Sequence, residues 1–159
     1  MLYDGKKVLV LGFSLTGKKS AEYFVKNGAK VYISEYKEQL EKDKAEVQKL
    51  QNLGVKLEFG GHSDEFIQNA DFAIISPSIK DDAPVLKKIN CPIYSDLEFV
   101  GKNLNYEDKM VLITGTNGKT TTTMLTSFVL SKKFNAPYVG NVGVPPLEVI
   151  EKNPDYLVV

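Results

Sequence analysis

Short apolar runs alternate with amphipathic stretches along residues 7–95 of the chain. Runs that are rich in branched or aromatic residues, and too short for helices, predict β-strands. The predicted strands are Lys7–Leu11, Lys30–Ser34, Lys56–Phe59, Phe72–Ser76 and Ile93–Tyr94. Between them, helical spacing of apolar residues predicts helices at Gly17–Lys26, Glu38–Leu53, Ser63–Asn69 and Ala83–Ile89. This alternation of strands and helices favours βαβ units and a parallel sheet.

Two of the predicted helices carry further local signals. In the second helix, the residues predicted to share the buried face are Leu40, Val47, Leu50 and Leu53. Gly54 follows them as a helix stop. In the third helix, Ser63 stands where an N-cap residue would satisfy free backbone amides.

The pattern divides the chain into two parts. Five strands predict an α/β, Rossmann-like parallel-sheet domain over residues 1–97. A short helix, Asp96–Lys102, and the polar stretch "KNLNYEDK" then lead to a new strand at Met110–Ile113. We interpret residues 98–159 as the start of a second α/β domain. Because the chain stops inside an apolar run that is typical of a core strand, Leu157–Val159, we expect it to be a fragment of a longer protein.

Composition narrows the class of protein. Of the 159 residues, 43% are hydrophobic and 25% are charged, and Lys+Arg and Asp+Glu both count 20. A net charge of zero gives no reason to expect nucleic-acid or membrane partners. Cys91 is the single cysteine, so neither a disulfide framework nor a thiolate metal cluster is expected, and we predict a cytoplasmic protein. His62, the one histidine, is predicted to be an exposed loop residue, and Cys91 a small packed one.

The first candidate site is the turn "LGFSLTG" after the first strand. Gly12 and Gly17 fit the ends of the dinucleotide pattern G-x-G-x-x-G, but Ser14 replaces the middle glycine. In a nicotinamide site that glycine lets the backbone approach a pyrophosphate. Ser14 instead offers a hydroxyl. The turn is therefore compatible with a nicotinamide-dependent oxidoreductase or with a site for another diphosphate.

The second candidate site lies in "MVLITGTNGKTTT", where a strand enters a glycine turn and then a helix. This is the context of a phosphate-binding loop, in which backbone amides and a lysine bind phosphates and a hydroxyl binds Mg²⁺. The loop is a shortened variant, because Ile113 stands where the usual first glycine would be and Gly115 follows it. On these residues alone an ATPase, a kinase, a ligase and a non-enzymatic nucleotide switch remain open.

The stretch "GTNGKTTTTMLTSFVL", followed by "GNVGVP", resembles the Mur ligase family. The segments "VLVLGFSLTGKKSAEYFVKNGAKVYISE" and "FAIISPSI" are similar to the branch that joins D-glutamate to UDP-N-acetylmuramoyl-L-alanine. Another Mur ligase, or a folylpolyglutamate synthetase-like ligase, is the nearest alternative. The resemblance implies a three-domain enzyme of peptidoglycan synthesis that activates its substrate carboxylate with ATP as an acyl phosphate. We expect this chain to hold the UDP-sugar domain and the opening of a P-loop ATP-binding domain. The amino-acid domain would be absent.

The resemblance also implies roles for individual residues. Those expected to bind the UDP substrate are Ser14, Leu15, Thr16, Glu35, Tyr36, Ser78 and Asn141. Those expected to bind ATP are Gly115, Thr116, Asn117, Gly118, Lys119, Thr120 and Thr121, with Lys119 catalytic and Thr120 a ligand of Mg²⁺. Two positions depart from the family pattern, because Glu35 stands where Asp is usual and Ser78 where glycine is common. The remaining metal ligands are expected beyond Val159. The fragment itself should bind the UDP-sugar weakly and turn over no ATP.

Overall fold

A computed structural model describes residues 2–140 and 144–159. The chain divides into two compact units, the first ending at Ser95 and the second beginning at Asp96. The strands of the first unit are β1 (Lys7–Leu11), β2 (Lys30–Glu35), β3 (Lys56–Phe59), β4 (Phe72–Ile75) and β5 (Ile93–Ser95). They form one parallel sheet in the order β3-β2-β1-β4-β5. The predicted α/β fold with a parallel sheet is confirmed.

Strand β1 is the centre of this sheet. Its residues Val8, Leu9, Val10 and Leu11 have no solvent exposure. A strand that is apolar at every position suits a parallel sheet whose two faces are both covered. The strands at the two edges, β3 and β5, are only half-buried, apart from the exposed Lys56, and their sequences are correspondingly more polar.

The helices of the first unit are α1 (Leu15–Lys26), α2 (Lys44–Asn52) and α3 (Asp64–Ile67), with 3₁₀ turns at Glu41–Asp43 and Pro84–Lys88. Helix α1 begins two residues earlier than predicted, because Ser14 is its N-cap. It ends at Lys26 as predicted, and Gly28 then takes a positive φ of 93°. The predicted helix at Ala83–Ile89 is instead the five-residue 3₁₀ turn at Pro84–Lys88.

The predicted helix Glu38–Leu53 is too long at its N-terminal end. Leu40 is extended and 53% exposed, so it is not on a buried helix face. The preceding segment is tied to another loop, since the amide of Gly60 donates to the carbonyl of Lys37 at 3.1 Å. Val47 and Leu50 are buried as predicted, but Leu53 is 41% exposed. A tertiary contact therefore overrides the local helical pattern.

The third predicted helix is shortened to the single turn of α3. Ser63 has the extended backbone of an N-cap, but its side chain makes no capping hydrogen bond. Its backbone carbonyl instead accepts the amides of Phe66 and Ile67. Gln68 then returns to an extended conformation and Asn69 takes a φ of 59°, which ends the helix.

The second unit contains α4 (Asp96–Asn103), β6 (Met110–Val111), α5 (Lys119–Leu130), α6 (Pro146–Val149) and β7 (Leu157–Val158), with 3₁₀ turns at Glu107–Lys109 and Ile150–Lys152. Strands β6 and β7 are parallel. The predicted strand Met110–Ile113 is shorter than expected, although the amide of Ile113 still donates to the carbonyl of Val159 at 2.8 Å. Leu157 and Val158 are completely buried, in agreement with the prediction of a core strand.

Candidate functional site

The first candidate site lies at the carboxyl edge of the parallel sheet in the first unit. The turn 12–17 follows β1, Glu35 ends β2 and Ser78 comes shortly after β4. In open α/β sheets this edge is where ligands bind, at the point where the strand order reverses. Strand β1 is that point, because its neighbours β2 and β4 continue the chain in opposite directions across the sheet.

Two glycines give the first turn its shape for different steric reasons. Gly12 has a φ of 95°, and a Cβ there would lie 2.9 Å from the Cβ of Ser76. At Gly17 a Cβ would lie only 2.1 Å from the carbonyl oxygen of Gly12. Neither position can therefore accept a side chain without movement of the backbone. The turn is also fixed to the next strand, because the amide of Gly12 donates to the carbonyl of Ser34 at 2.9 Å.

Ser14 is the hydroxyl at the centre of the turn. Its Oγ accepts the amide of Gly17 at 3.3 Å and so caps α1. The same Oγ accepts the hydroxyl of Ser76 at 2.8 Å, and Ser76 Oγ lies 3.0 Å from Ser78 Oγ. Three serine hydroxyls from two strand ends thus form one chain next to the start of a helix. The amides at a helix start attract anions.

Leu15 and Thr16 form the first residues of α1 beside this hydroxyl chain. The side chain of Leu15 is 51% exposed, so it presents apolar surface at the rim of the turn. Thr16 is half-buried, and its carbonyl accepts the hydroxyl of Ser20 at 2.8 Å. The predicted contacts of both residues with a substrate stay predictions.

Glu35 has a local role that the sequence did not reveal. One carboxylate oxygen accepts the amide of Phe13 at 2.7 Å, and the other accepts the amide of Lys37 at 2.9 Å. The side chain therefore connects the glycine turn to the loop after β2. Each carboxylate oxygen has a further lone pair, so a ligand contact remains chemically possible and stays a prediction.

Tyr36 and His62 lie together beside Glu35. The Tyr36 ring is 75% exposed, and its centroid is 6.1 Å from that of the His62 ring. The prediction of an exposed loop histidine is wrong, because His62 is half-buried and its Nδ1 lies 2.6 Å from the hydroxyl of Ser34. That hydroxyl donates to Glu58 at 2.6 Å. Burial lowers the pKa of His62, while the charges of Glu58 and Glu35 act in the opposite direction and that of Lys88 adds to the lowering.

Three polar residues at this edge were not predicted as site residues: Ser34, Glu58 and Ser76. Ser34 and Ser76 are almost completely buried, with exposures of 0% and 2%. Each stands at or just after the end of a predicted strand, and a hydroxyl in that position is the one sequence signal that could have identified them. Ser34 contacts Glu58 and His62, and Ser76 contacts Ser14, all across 24 residues of sequence or more, so only the fold brings these pairs together.

The second candidate site is the turn before α5 in the second unit. Gly118 takes a left-handed conformation with a φ of 76°, and Gly115 has a φ of 152°. The ammonium of Lys119 donates to the carbonyls of Gly115 at 2.5 Å and Thr116 at 3.4 Å. Residues 114–122 are all exposed, so the backbone of this loop is open to a ligand.

This geometry fits the phosphate chain of a nucleotide. Left-handed glycine backbone allows successive amides to point towards an anion, and the twelve-residue helix α5 begins directly at Lys119. Asn117, Thr120 and Thr121 are exposed in the same loop and first helical turn. Asn141, which was predicted to contact the UDP substrate, lies outside the described residues.

The described residues form neither a metal-binding cluster nor a membrane-spanning helix. Within residues 2–140 and 144–159, no group of three His, Cys, Asp or Glu side chains is placed to hold a metal ion. Thr120 is therefore a single hydroxyl, which would complete a Mg²⁺ site only together with phosphate oxygens, water or other ligands. Among the described residues, no helix has the length and apolar character needed to cross a membrane.

A cavity of about 390 Å³ lies at the opposite, amino-terminal edge of the sheet. Its lining residues are Ile67, Gln68, Asn69, Ala70, Lys88, Asn90 and Cys91, none of which belongs to a predicted site. Cys91 packs against the core cluster that includes Leu9 and Ile67, in agreement with its predicted role. Burial raises the pKa of its thiol, which disfavours the reactive thiolate.

Comparison with known proteins identifies the family. Residues 6–93, more than half of the chain, match the family model of the Mur ligase MurD-like N-terminal domain. The chain belongs to this Mur ligase family. The match covers the whole of the parallel sheet except its last two residues, together with the first glycine turn, Glu35 and the serine chain.

Curated relatives extend the similarity into the second unit. The chain is 36% identical over 160 residues to the UDP-N-acetylmuramoylalanine–D-glutamate ligase of Elusimicrobium minutum, which covers 94% of this chain and 34% of that protein. It is 36% identical over 163 residues to the ligase of the same name from Lactobacillus gasseri, covering 96% of this chain and 35% of that protein. The chain thus spans about a third of the length of these relatives.

Solved structures agree with this family and its fold. A pseudomurein peptide ligase type C from Methanothermus fervidus matches with a TM-score of 0.56 and 28% identity, over 98% of this chain and 32% of that one. The murein peptide ligase Mpl from Psychrobacter arcticus has the same TM-score of 0.56 at 20% identity, over 94% of this chain and 31% of that one. The second similarity concerns the fold alone.

Proposed function

We propose that this chain is the amino-terminal, substrate-binding part of an ATP-dependent ligase that joins D-glutamate to UDP-N-acetylmuramoyl-L-alanine in peptidoglycan synthesis. The observation that carries the proposal is the presence of two separate glycine turns, each of which leads directly into a twelve-residue helix. The MurD-like family of the first unit and the names of the relatives support the choice of substrates.

The first turn would hold the UDP-sugar. The hydroxyl of Ser14 and the first amides of α1 would bind the diphosphate, and the exposed Leu15 and Tyr36 would flank the base. Glu35, by binding the amides of Phe13 and Lys37, would keep the two loops in place around the nucleotide. Ser78 would act at the same diphosphate.

The second turn would hold ATP. Bound ATP would supply the phosphoryl group that activates the substrate carboxylate as an acyl phosphate, leaving ADP. The amine of D-glutamate would then attack the acyl carbon, forming the amide bond and releasing inorganic phosphate. Lys119 would exchange its contacts with the carbonyls of Gly115 and Thr116 for phosphate oxygens. Its charge would offset the negative charge that develops during transfer. Thr120 would contribute one hydroxyl to Mg²⁺. Residues 1–97 would form the UDP-sugar domain and residues 98–159 the opening of the ATP-binding domain.

An NMR titration of the 159-residue chain with UDP tests the first part of this proposal. We expect saturable shifts at residues 14–16 and 35, and no such shifts with NADH. Tight NADH binding that UDP does not compete with would favour an oxidoreductase instead. We also expect this chain alone to turn over no ATP. Amide ligation by the 159-residue chain at a rate typical of enzymes would contradict our proposal that this chain only binds the substrates.

A further inference from the structure

The hydroxyl chain of Ser78, Ser76 and Ser14 has a defined direction. Ser76 Oγ donates to Ser14 Oγ at 2.8 Å across 62 residues of sequence. A serine hydroxyl has one proton and two acceptor sites. Because the proton of Ser76 is directed to Ser14, the 3.0 Å contact between Ser76 and Ser78 requires Ser78 to donate. The chain therefore runs from Ser78 through Ser76 to Ser14.

Ser14 is the end of this chain, and its acceptor capacity is filled. Its Oγ accepts the hydroxyl of Ser76 and also the amide of Gly17 at 3.3 Å. What remains at Ser14 is its own proton. A hydroxyl that accepts two hydrogen bonds is polarised, which strengthens it as a donor. A group bound at this point must therefore be an acceptor.

We propose that Ser76 and Ser78 are positioning residues that make Ser14 a dedicated hydrogen-bond donor, so that the first turn selects an anionic phosphate oxygen. This inference rests on the proposed function, because it takes the ligand of the turn to be a nucleoside diphosphate. It adds a role for Ser76, which was not predicted as a site residue, and it sets the chemistry of the contact. A ligand that places no acceptor at Ser14 would gain nothing from the chain.

The surroundings of Ser76 support a positioning role. The residue is 2% exposed, so a ligand does not reach it directly. Its amide donates to the carbonyl of Leu11 at 3.0 Å, and its carbonyl accepts the amide of Ile79 at 3.0 Å. Its Cβ lies against Gly12, where an added side chain would come within 2.9 Å. These backbone contacts thus fix Ser76 beneath the turn, in a position from which its hydroxyl donates to Ser14.

The test compares UDP with uridine, because only UDP carries the phosphates. Dissociation constants would be measured by NMR titration for the unmodified chain and for Ser14→Ala, Ser76→Ala and Ser78→Ala. We expect Ser76→Ala to weaken UDP binding about three- to tenfold and Ser78→Ala about twofold, since net hydrogen-bond contributions are modest. Uridine binding should stay unchanged in both. A Ser14→Ala/Ser76→Ala double variant should bind UDP no more weakly than Ser14→Ala, because Ser76 acts through Ser14.

Ser127→Ala is the matched control. Ser127 is also buried, and its hydroxyl donates to the carbonyl of Ala136 at 2.7 Å in the second unit. Its loss should leave UDP affinity unchanged. Because Ser78 is exposed, its variant tests the chain even if Ser76→Ala fails to fold.

Three results would overturn the inference while leaving the proposed function intact. They are unchanged UDP affinity in Ser76→Ala and Ser78→Ala, an equal loss for UDP and uridine, and full additivity in the double variant. Failure of the unmodified chain to bind UDP would instead reject the proposed function, and the inference with it.

Discussion

The two glycine turns share a strand–turn–helix plan, but the surrounding structure treats them differently. In the first turn, Gly12 and Gly17 are buried, and the turn is held by amides that donate to Ser34 and Glu35 and by the hydroxyl of Ser76, which donates to Ser14. In the second turn, residues 114–122 are exposed, and Lys119 contacts the carbonyls of its own loop. One site is thus built from several strand ends, and the other from a single local segment.

The two sites therefore differ in the part of the structure on which their specificity depends. In the first turn the geometry depends on neighbours far away in sequence, so changes there should affect stability and binding together. In the second turn the chemistry lies in backbone conformation and one ammonium group, so changes should affect binding with little effect on folding.

The largest expected effect is that of Gly17→Ala on the stability of the first unit. The new Cβ would lie 2.1 Å from the backbone carbonyl of Gly12, so the turn must move. We expect a loss of about 3 kcal/mol or more in the free energy of unfolding, measured by urea denaturation. Gly118→Ala is the comparison, because its Cβ would meet nothing within 4 Å and only its positive φ of 76° is strained. It should cost about 1 kcal/mol. Equal losses in the two variants would contradict the contrast.

Lys119→Met should have the second-largest effect, and on binding alone. Removing the ammonium should weaken ATP binding at least about tenfold, since charge-assisted contacts to phosphate are strong. Because Lys119 is exposed, the thermal midpoint should not change. Lys132→Met is the control, because Lys132 lies just beyond the C-terminal end of α5 in the same unit, over the ring of Phe128. Calorimetry with MgATP and with UDP would measure the effect. A comparable loss of UDP affinity, or unchanged ATP affinity, would argue against a separate ATP loop.

The contrast also explains how much of the molecule could be predicted from its sequence. The strands and the second turn depend on local patterns, so their positions were close to those observed. The helix at Glu38–Leu53 was overextended because the contact between Gly60 and Lys37 cannot be seen in the local pattern. Ser76 was missed for the same reason, since its role depends on β1 and β4 lying side by side. Local motifs identify a site, and the tertiary structure decides which residues support it.

Glu35→Ala should have an intermediate effect in the first unit. The carboxylate binds two backbone amides, those of Phe13 and Lys37, and its loss would leave them without this partner. Hydrogen bonds to charged groups stabilise by more than neutral ones, so we expect a loss of about 1–2 kcal/mol in the free energy of unfolding. UDP affinity should fall as well, because the turn loses its support. Glu38→Ala, at an exposed position in the same loop, should change neither quantity. If Glu35→Ala weakened UDP binding with no loss of stability, Glu35 would be a direct ligand contact rather than a support.

The smallest expected effect is a dependence of stability on the protonation of His62. Burial lowers the pKa of this imidazole in the folded state, so the unfolded chain binds a proton more readily. The stabilising contribution is complete above the unfolded pKa of about 6.5 and falls as the pH drops towards the lower folded value. The thermal midpoint should therefore decrease between pH 7.5 and 5.5 more steeply in the unmodified chain than in His62→Gln, which cannot take up the proton. Glu58, Glu35 and Lys88, whose charges act on the ring, are the same in both proteins, so the difference between the two isolates the imidazole. Parallel midpoint curves for the two proteins would show that His62 does not couple pH to the stability of this edge. The second unit lacks the histidine, so we expect its stability to depend on pH in the same way in the unmodified chain and in His62→Gln.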